Sequence, residues 1–400
     1  MLKLDSEKEV GPVKITDVKT FIVDGGRMNW VVVKIYTDAG IDGVGDATVE
    51  RRETAVAATV EHIKPFLIGK DPFAVEMLSE TANRDSYWRT GVINRSALSG
   101  IEAALFDIKG KALEVPVYEL LGGKQRDRVR CYANYWAYSP MNGDDAARFI
   151  EKPLKLGFTG MKWDPFFAAY MQMPPAQRRA SMGQIAGARK AAGPDIDLMI
   201  EGHGRFDLPT ARILGEAIAE YEPLFFEEPM PPDTIDAYGE LRPLISVPIA
   251  GGERYTEKFR FLEAIRRQAL DWLQPDACHV GGLLEMKKIA AIAEAAHLAF
   301  APHNPMGPVG NAMTMQLAAS TSNFALLETM MVDVPWRAEV VTEHARLVDG
   351  HMLVSDRPGL GIEFHEEGAL AHPFSMKEPQ HFKHRVYPQD LVPWYAVGPA

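Results

Sequence analysis

Cysteine is scarce in this chain, with two thiols, Cys131 and Cys278, in 400 residues. Both fall in apolar, strand-like runs. They read as buried reduced thiols of a cytoplasmic protein rather than as a disulfide framework. Long apolar runs are missing too, and none approaches the roughly 18 residues needed to cross a bilayer. The stretch MLKLDSEKEVGPVK at the start is charged and lacks an apolar core, so it does not read as a secretory signal. Nor is there any excess of positive charge. A formal net charge of −11 speaks against nucleic acid or an anionic membrane as a partner.

The hydrophobic content of 46% and charged content of 24% are ordinary for a globular protein. Four hundred residues exceed one small core and imply two domains, or one barrel with additions. Residues 13–49 read as β: VKITDVKTFIVDG alternates, WVVVKIYTD follows a turn-rich stretch, and VGDATV continues the sheet. Residues 52–115 read mainly as helix, because ETAVAATVEHIKPFL and SALSGIEAALFDIKGKAL repeat their apolar positions at helical spacing. This is the pattern of an α+β domain over residues 1–127. From 128 to 340, short apolar runs alternate with helical stretches. Eight strand-like runs end near Trp136, Asp164, Glu201, Glu227, Glu253, Asp276, His303 and Glu328. Alternation at this period predicts an α/β barrel of parallel strands with helical crossovers. The slot after the eighth strand, DVPWRAEVV, is a poor helix. Residues 341–400 read as a C-terminal segment that packs back on the first domain, plus a polar tail over 377–400 with no structural reading.

Barrel active sites sit where strands end. Glu201, Glu227 and Glu253 each close such a run, at successive intervals of 26 residues. Three carboxylates converging at one mouth repel one another unless a cation lies between them. All-oxygen ligands favour a hard divalent ion, Mg²⁺ with Mn²⁺ as the alternative. The other strand ends deliver Lys162 and Asp164, His203 two residues past Glu201, Asp276, His303 and Glu328. If the third strand continues past Glu201, Glu201 and His203 face the same way.

With these motifs in place, the chain resembles the enolase superfamily in its mandelate-racemase-like branch. The resemblance runs from residue 13 to about 370, through SALSGIEAALFDIKGKALEVPVYELLGG, FFEEP, GGER, LQPD and PHN. Within the branch, KWDPF and IEGHGRF resemble the sugar-acid dehydratases of gluconate or galactonate type. The resemblance implies an N-terminal α+β capping domain, completed by C-terminal residues, over a (β/α)7β barrel. It also implies one Mg²⁺ on Glu201, Glu227 and Glu253, with Glu228 beside the metal site rather than on it, and a homo-oligomer. It pairs His303 with Asp276 as a general base. It makes His203 the group that protonates the leaving hydroxyl. Glu328 takes the position that bonds the enediolate or the substrate carboxylate. The Lys-x-Lys of the racemases is replaced by Lys162-Trp163-Asp164, so the second base is absent and a single-base reaction is expected. Asp164 then bonds the substrate or orients His203, and Lys162 helps neutralise the substrate carboxylate.

The expected reaction is loss of water from a small-molecule sugar acid to give a 2-keto-3-deoxy acid. The alternatives are an epimerase or cycloisomerase working through the same enediolate, and a non-catalytic sugar-acid binder. Substrate choice is expected from capping loops 24–30, 48–52 and 87–90. Arg27, Tyr87, Trp88 and Arg89, with Trp136 at the first strand end, are the expected substrate contacts.

Overall fold

Strands β1 (Ile15–Val23), β2 (Trp30–Thr37) and β3 (Asp42–Asp46) form an antiparallel sheet in that order. The structure is a computed structural model and describes residues 13–374 except 86, 90, 138–141, 167 and 168. Thr90 and the tail 377–400 thus lie outside the described residues. The central strand reads WVVVKIYT without strict alternation because both of its faces are covered. Trp30, Val31, Val32, Val33 and Ile35 are all buried. Helices α1 (Glu53–Leu67), α2 (Val75–Asp85) and α3 (Val92–Ala112) follow. In α1 a single stripe, Val56, Val60, Ile63 and Leu67, is buried. Helix α3 is buried on nearly every side from Arg95 to Ile108, because it packs on the sheet and also reaches the barrel.

After the short α4 (Val117–Leu120) come eight barrel strands. They are β4 (Arg128–Asn134), β5 (Gly160–Trp163), β6 (Asp197–Glu201), β7 (Phe225–Glu227), β8 (Ile249–Gly251), β9 (Trp272–Leu273), β10 (Ala299–Phe300) and β11 (Leu327–Met330). Neighbours pair in parallel from β4 to β10, and β11 pairs with the other edge of β4. A parallel bridge between Phe300 and Phe324, just ahead of β11, closes the ring. The crossovers are α5 (Gly143–Phe149) with α6 (Glu151–Lys155), α7 (Pro175–Ala192), α8 (Leu208–Ile218), α9 (Ile235–Leu241), α10 (Lys258–Arg266), α11 (Leu283–Ala295) and α12 (Pro308–Ser320). The eighth slot holds only the four-residue α13 (Arg337–Val340). The barrel is therefore (β/α)7β, and a cavity of about 310 Å³ lined by Arg27, Pro305, Val332 and Arg337 opens on this side. Tyr132, Met199, Phe225, Ala250, Ala301 and Leu326, one from each of six strands or their immediate approaches, fill the barrel interior.

The chain then forms β12 (Val341–Glu343), β13 (Arg346–Val348), β14 (His351–Leu353), β15 (Ile362–Phe364) and α14 (Glu366–Ala371). Strand β14 takes Arg128–Arg130 of the β4 edge antiparallel, and β11 takes Cys131–Asn134 of that edge in parallel. The last residues rejoin the first sheet. Lys34 Nζ lies 2.8 Å from Glu366, and Asp24 N donates to His372 O at 2.9 Å. The capping domain is thus completed from the C-terminal side. No helix among the described residues is long and apolar enough to cross a membrane.

Candidate active site

Glu201 and Glu227 are the last residues of β6 and β7 and sit side by side in register. Glu253 lies two residues beyond β8. Gly252 supplies the turn, with φ +122° and Phe261 so near that an added Cβ would lie 2.5 Å from its ring. One carboxylate oxygen from each glutamate falls within 4.8 Å of the others. Burial and the Glu227 charge push the Glu201 carboxyl well above its usual range. Lys162 Nζ is 2.6 Å from Glu227, 3.0 Å from Glu328 and 3.6 Å from Glu201. Gln274 Nε2 donates to the other Glu227 oxygen at 2.6 Å. One lysine against four buried or half-buried carboxylates leaves negative charge uncompensated. The cluster therefore fits a hard divalent cation on Glu201, Glu227 and Glu253. Glu228, with φ +34°, turns away from this group and is held by Arg254, whose Nε donates at 2.7 Å.

On one side of the cluster stands His303. Its Nδ1 donates to Asp276 Oδ2 at 2.7 Å, and its Nε2 is 3.3 Å from Glu253 Oε2. A parallel bridge pairs the backbones of the two residues beyond the ends of β9 and β10. Burial disfavours the charged imidazole, but Glu253 and Asp276 outweigh it and push its pKa up to about 10. Burial would raise Asp276, yet the imidazoles of His279 and His303 hold it below the usual carboxylate range.

On the other side stands His203, between Glu201 and Asp164. The condition under which Glu201 and His203 would face the same way is not met. Strand β6 ends at Glu201, and His203 sits in a left-handed turn at φ +48°. The turn is held by the His203 N–H donating to Glu201 Oε1 at 2.6 Å, so the carboxylate takes the place of a ladder partner. His203 Nδ1 donates to Asp164 Oδ2 at 2.7 Å, and the buried Arg205 binds the other Asp164 oxygen. Asp164 thus contacts His203 through one oxygen and Arg205 through the other. Burial, aided by Arg205 and Lys162, holds the His203 imidazole below its ordinary range despite Asp164. Burial opposes the Asp164 charge, but Arg205 and His203 keep its carboxyl below the usual range.

Glu328 lies next to Lys162 and is held at both ends. Asn304 N donates to Oε2 at 2.8 Å and Asn134 Nδ2 to Oε1 at 2.6 Å. Burial works against its charge, but Lys162 and His303 hold its carboxyl well below the usual range. Arg27 reaches the barrel mouth. It donates to Pro305 O at 2.9 Å, pairs with Glu50 at 3.2 Å and stacks over Tyr135.

The surroundings of four of the expected substrate contacts are as follows. Trp136 is buried against Trp163, and its Nε1 donates to Lys162 O at 3.0 Å, so its polar atom is committed inside the fold. Tyr87 and Trp88 are 82% and 83% exposed and sit edge-on to each other on the outer surface. Arg89 lines a different cavity, between α2 and α10. These three residues follow α2, and Arg89 shares its cavity with Glu257 and Lys258 at the start of α10.

Three residues went unseen in the sequence. Arg205 lies two residues after His203, and Gln274 two residues before Asp276. His279 Nε2 meets Thr48 O of the capping domain at 3.1 Å, and its Nδ1 is 3.9 Å from Asp276. Its spacing of three from Asp276 was the available signal.

Residues 10–122 match the mandelate racemase / muconate lactonizing enzyme N-terminal domain family, and residues 145–368 match the enolase C-terminal domain-like family. The D-galactonate dehydratase of Variovorax paradoxus (strain S110) is 37% identical over 364 residues, covering 89% of this chain and 93% of that protein. The enzyme of that name from Pectobacterium atrosepticum is 36% identical over the same shares. Among solved structures, a mandelate racemase/muconate lactonizing enzyme-like protein from Rubrobacter xylanophilus matches with a TM-score of 0.84 and 32% identity, covering 91% of this chain and 98% of that one. A member of the enolase superfamily from Salmonella Typhimurium matches with a TM-score of 0.86 and 27% identity, over 90% and 98%. This chain belongs to the mandelate racemase / muconate lactonizing enzyme family of the enolase superfamily.

Proposed function

We propose that this protein is a Mg²⁺-dependent hydro-lyase that dehydrates an aldonate to a 2-keto-3-deoxy acid. One observation carries the reading. Two imidazoles, each oriented through Nδ1 by its own carboxylate, flank a three-carboxylate cluster from β6 and β10, four strands apart in an eight-strand ring. The names of the relatives, D-galactonate dehydratase, support an aldonate of this kind.

Glu201, Glu227 and Glu253 would hold the divalent ion. When bound, it supplies Lewis-acid stabilisation of charge developing on the substrate carboxylate. His303 takes the proton from the carbon next to the carboxylate, and Asp276 steadies the imidazolium that forms. Lys162, buried among the carboxylates, offers positive charge to the developing enediolate, and Glu328 holds Lys162 in place. His203 gives a proton to the 3-hydroxyl, which leaves as water, and the enol tautomerises to the keto acid. With Asp164 committed to His203 and Arg205, strand β5 offers no second base, which favours elimination over racemisation.

Purified protein with Mg²⁺ and a panel of C4–C6 aldonates should yield 2-keto acid from at least one stereoisomer. Exchange or epimerisation in D₂O without keto acid would favour the epimerase reading, and ligand-induced thermal shift without turnover the binding-protein reading. His303→Asn should lose deuterium exchange at C2, whereas His203→Asn should retain it. Exchange that survives in the first variant would place the base elsewhere.

A further inference from the structure

Beside the proposed base is a group of donors unlike the three glutamates in chemistry. One donor atom from each of Asp276, His279 and His303 falls within 4.8 Å of the others. His303 Nδ1 is 2.7 Å from Asp276 Oδ2, and His279 Nδ1 is 3.9 Å from the same oxygen. The two imidazole centroids are 6.3 Å apart. Hydrogen bonding fixes the state of His279. Its Nε2 donates to Thr48 O at 3.1 Å, because a carbonyl only accepts. In the neutral ring, Nδ1 then carries the lone pair. That lone pair faces acceptors, Glu253 O at 3.5 Å and Asp276 Oδ2 at 3.9 Å. Acceptors turned toward one another in a partly buried place call for a positive charge among them, either a proton on Nδ1 or a cation.

We propose that Asp276, His279 and His303 form a second metal site, which takes Zn²⁺ or a similar borderline divalent ion and thereby shuts off the base. The donor set selects the ion. Two imidazole nitrogens and one carboxylate oxygen suit Zn²⁺, whereas Mg²⁺ prefers oxygen throughout. Three protein ligands is the number found in open zinc sites, where water takes the fourth position. The His279 and His303 side chains are 12% and 14% exposed, so the nitrogens are not sealed from solvent. This set shares no residue with Glu201, Glu227 and Glu253, so Zn²⁺ does not have to displace Mg²⁺ to bind. In forming the site, His303 Nδ1 exchanges its hydrogen for a bond to zinc. The proton goes to solvent if the ring starts as imidazolium, and to Nε2 if it starts neutral. Either way Nε2 carries the remaining hydrogen and has no lone pair for the proton at C2. No electrons are transferred, so no oxidant or reductant is involved. The shut-off rests on the proposed role of His303, while the binding of the ion does not.

The test uses the full chain in excess Mg²⁺. Crystals soaked in ZnCl₂ and measured on both sides of the zinc absorption edge should show anomalous density about 2.0–2.1 Å from a nitrogen of His279 and of His303. Density confined to the three glutamates would overturn the site. Calorimetric titration with Zn²⁺ should show binding to wild type that weakens at least about 10-fold in His279→Gln, with circular dichroism reporting an intact fold. Unchanged affinity in the folded variant would also overturn it. In the aldonate assay, Zn²⁺ should abolish keto-acid formation and C2 exchange together. Its half-inhibiting concentration should rise at least about 10-fold in His279→Gln, measured against the variant's own uninhibited rate. Zinc bound at the two imidazoles with C2 exchange undiminished would overturn the shut-off. A panel that gives no keto acid counts against the proposed reaction, and diffraction and calorimetry decide the site without it.

Discussion

His303 Nε2 lies 3.3 Å from Glu253 Oε2, so the proposed base touches a proposed ligand of the cation. The imidazole pKa of about 10 owes more to Glu253 than to its hydrogen bond with Asp276. A cation on Glu253 offsets that charge and lowers the imidazole pKa. A base must be unprotonated to act, so activity is gained as pH rises through this pKa. The ascending limb of the kcat/KM profile should therefore move to lower pH as Mg²⁺ is raised. Profiles recorded at several Mg²⁺ concentrations check this, and a limb that stays fixed would separate His303 from the metal site.

Glu201 is crowded, since burial and the Glu227 charge both favour its protonated form. Replacing it with glutamine keeps an oxygen for the His203 N–H and removes a like charge. Glu201→Gln should therefore melt at or above wild type in EDTA, while losing activity. Wild type should gain stability with added Mg²⁺, about 2.7 kcal/mol at 100 times the dissociation constant, and the variant should gain almost none. Calorimetry with and without Mg²⁺ reads both effects. A variant that melts well below wild type in EDTA would mean that the carboxylates attract a partner missing from this account.

Much of this site could be read along the chain because barrel chemistry gathers at strand ends, and strand ends are marked by where apolar runs stop. Glu201 and Glu227 follow from that rule directly. Glu253, Asp276 and His303 lie two or three residues beyond their strands, yet the run ends and their spacing still brought them in. His203 shows where the rule stops: it points into the site because of a left-handed turn bonded to Glu201, which no alternation pattern encodes. Trp136 shows another limit, its ring being packed on Trp163 inside the fold. Aromatic residues near a mouth in sequence carry no record of which way the backbone turns. Arg205 and His279 meet distant partners, the Asp164 carboxylate 41 residues away and the Thr48 carbonyl 231 residues away, and such long-range pairings leave no local periodicity.

Asp164 meets His203 Nδ1 at 2.7 Å and also balances the buried Arg205. Asp164→Asn would leave the guanidinium without its carboxylate and would release the Nδ1 contact that fixes the tautomer. The expected loss is 10- to 100-fold in kcat, of the order seen when a carboxylate that orients an imidazole is removed. Deuterium exchange at C2 should continue, because His303 is untouched. The measurement is the ratio of exchange to keto-acid formation, which should rise. Equal loss of both would place Asp164 in the proton-abstraction step.

His279 ties the capping domain to the base. Its Nε2 meets Thr48 O at 3.1 Å, and its Nδ1 faces Glu253 O at 3.5 Å and Asp276 at 3.9 Å. Thr48 leads into the loop carrying Glu50, which holds Arg27 at the mouth. Two effects of removing the imidazole can therefore be told apart. If it acts on the loop, His279→Gln loosens Arg27 and raises KM while kcat stays within about 3-fold, the mark of lost uniform binding. If it acts through Asp276, kcat and C2 exchange fall together. The Thr48 contact is the shorter of these and the only one to a carbonyl outside the barrel, so the KM effect is expected to dominate, and steady-state kinetics on the preferred aldonate decides it. A fall in kcat and exchange at constant KM would instead assign His279 to the support of the base.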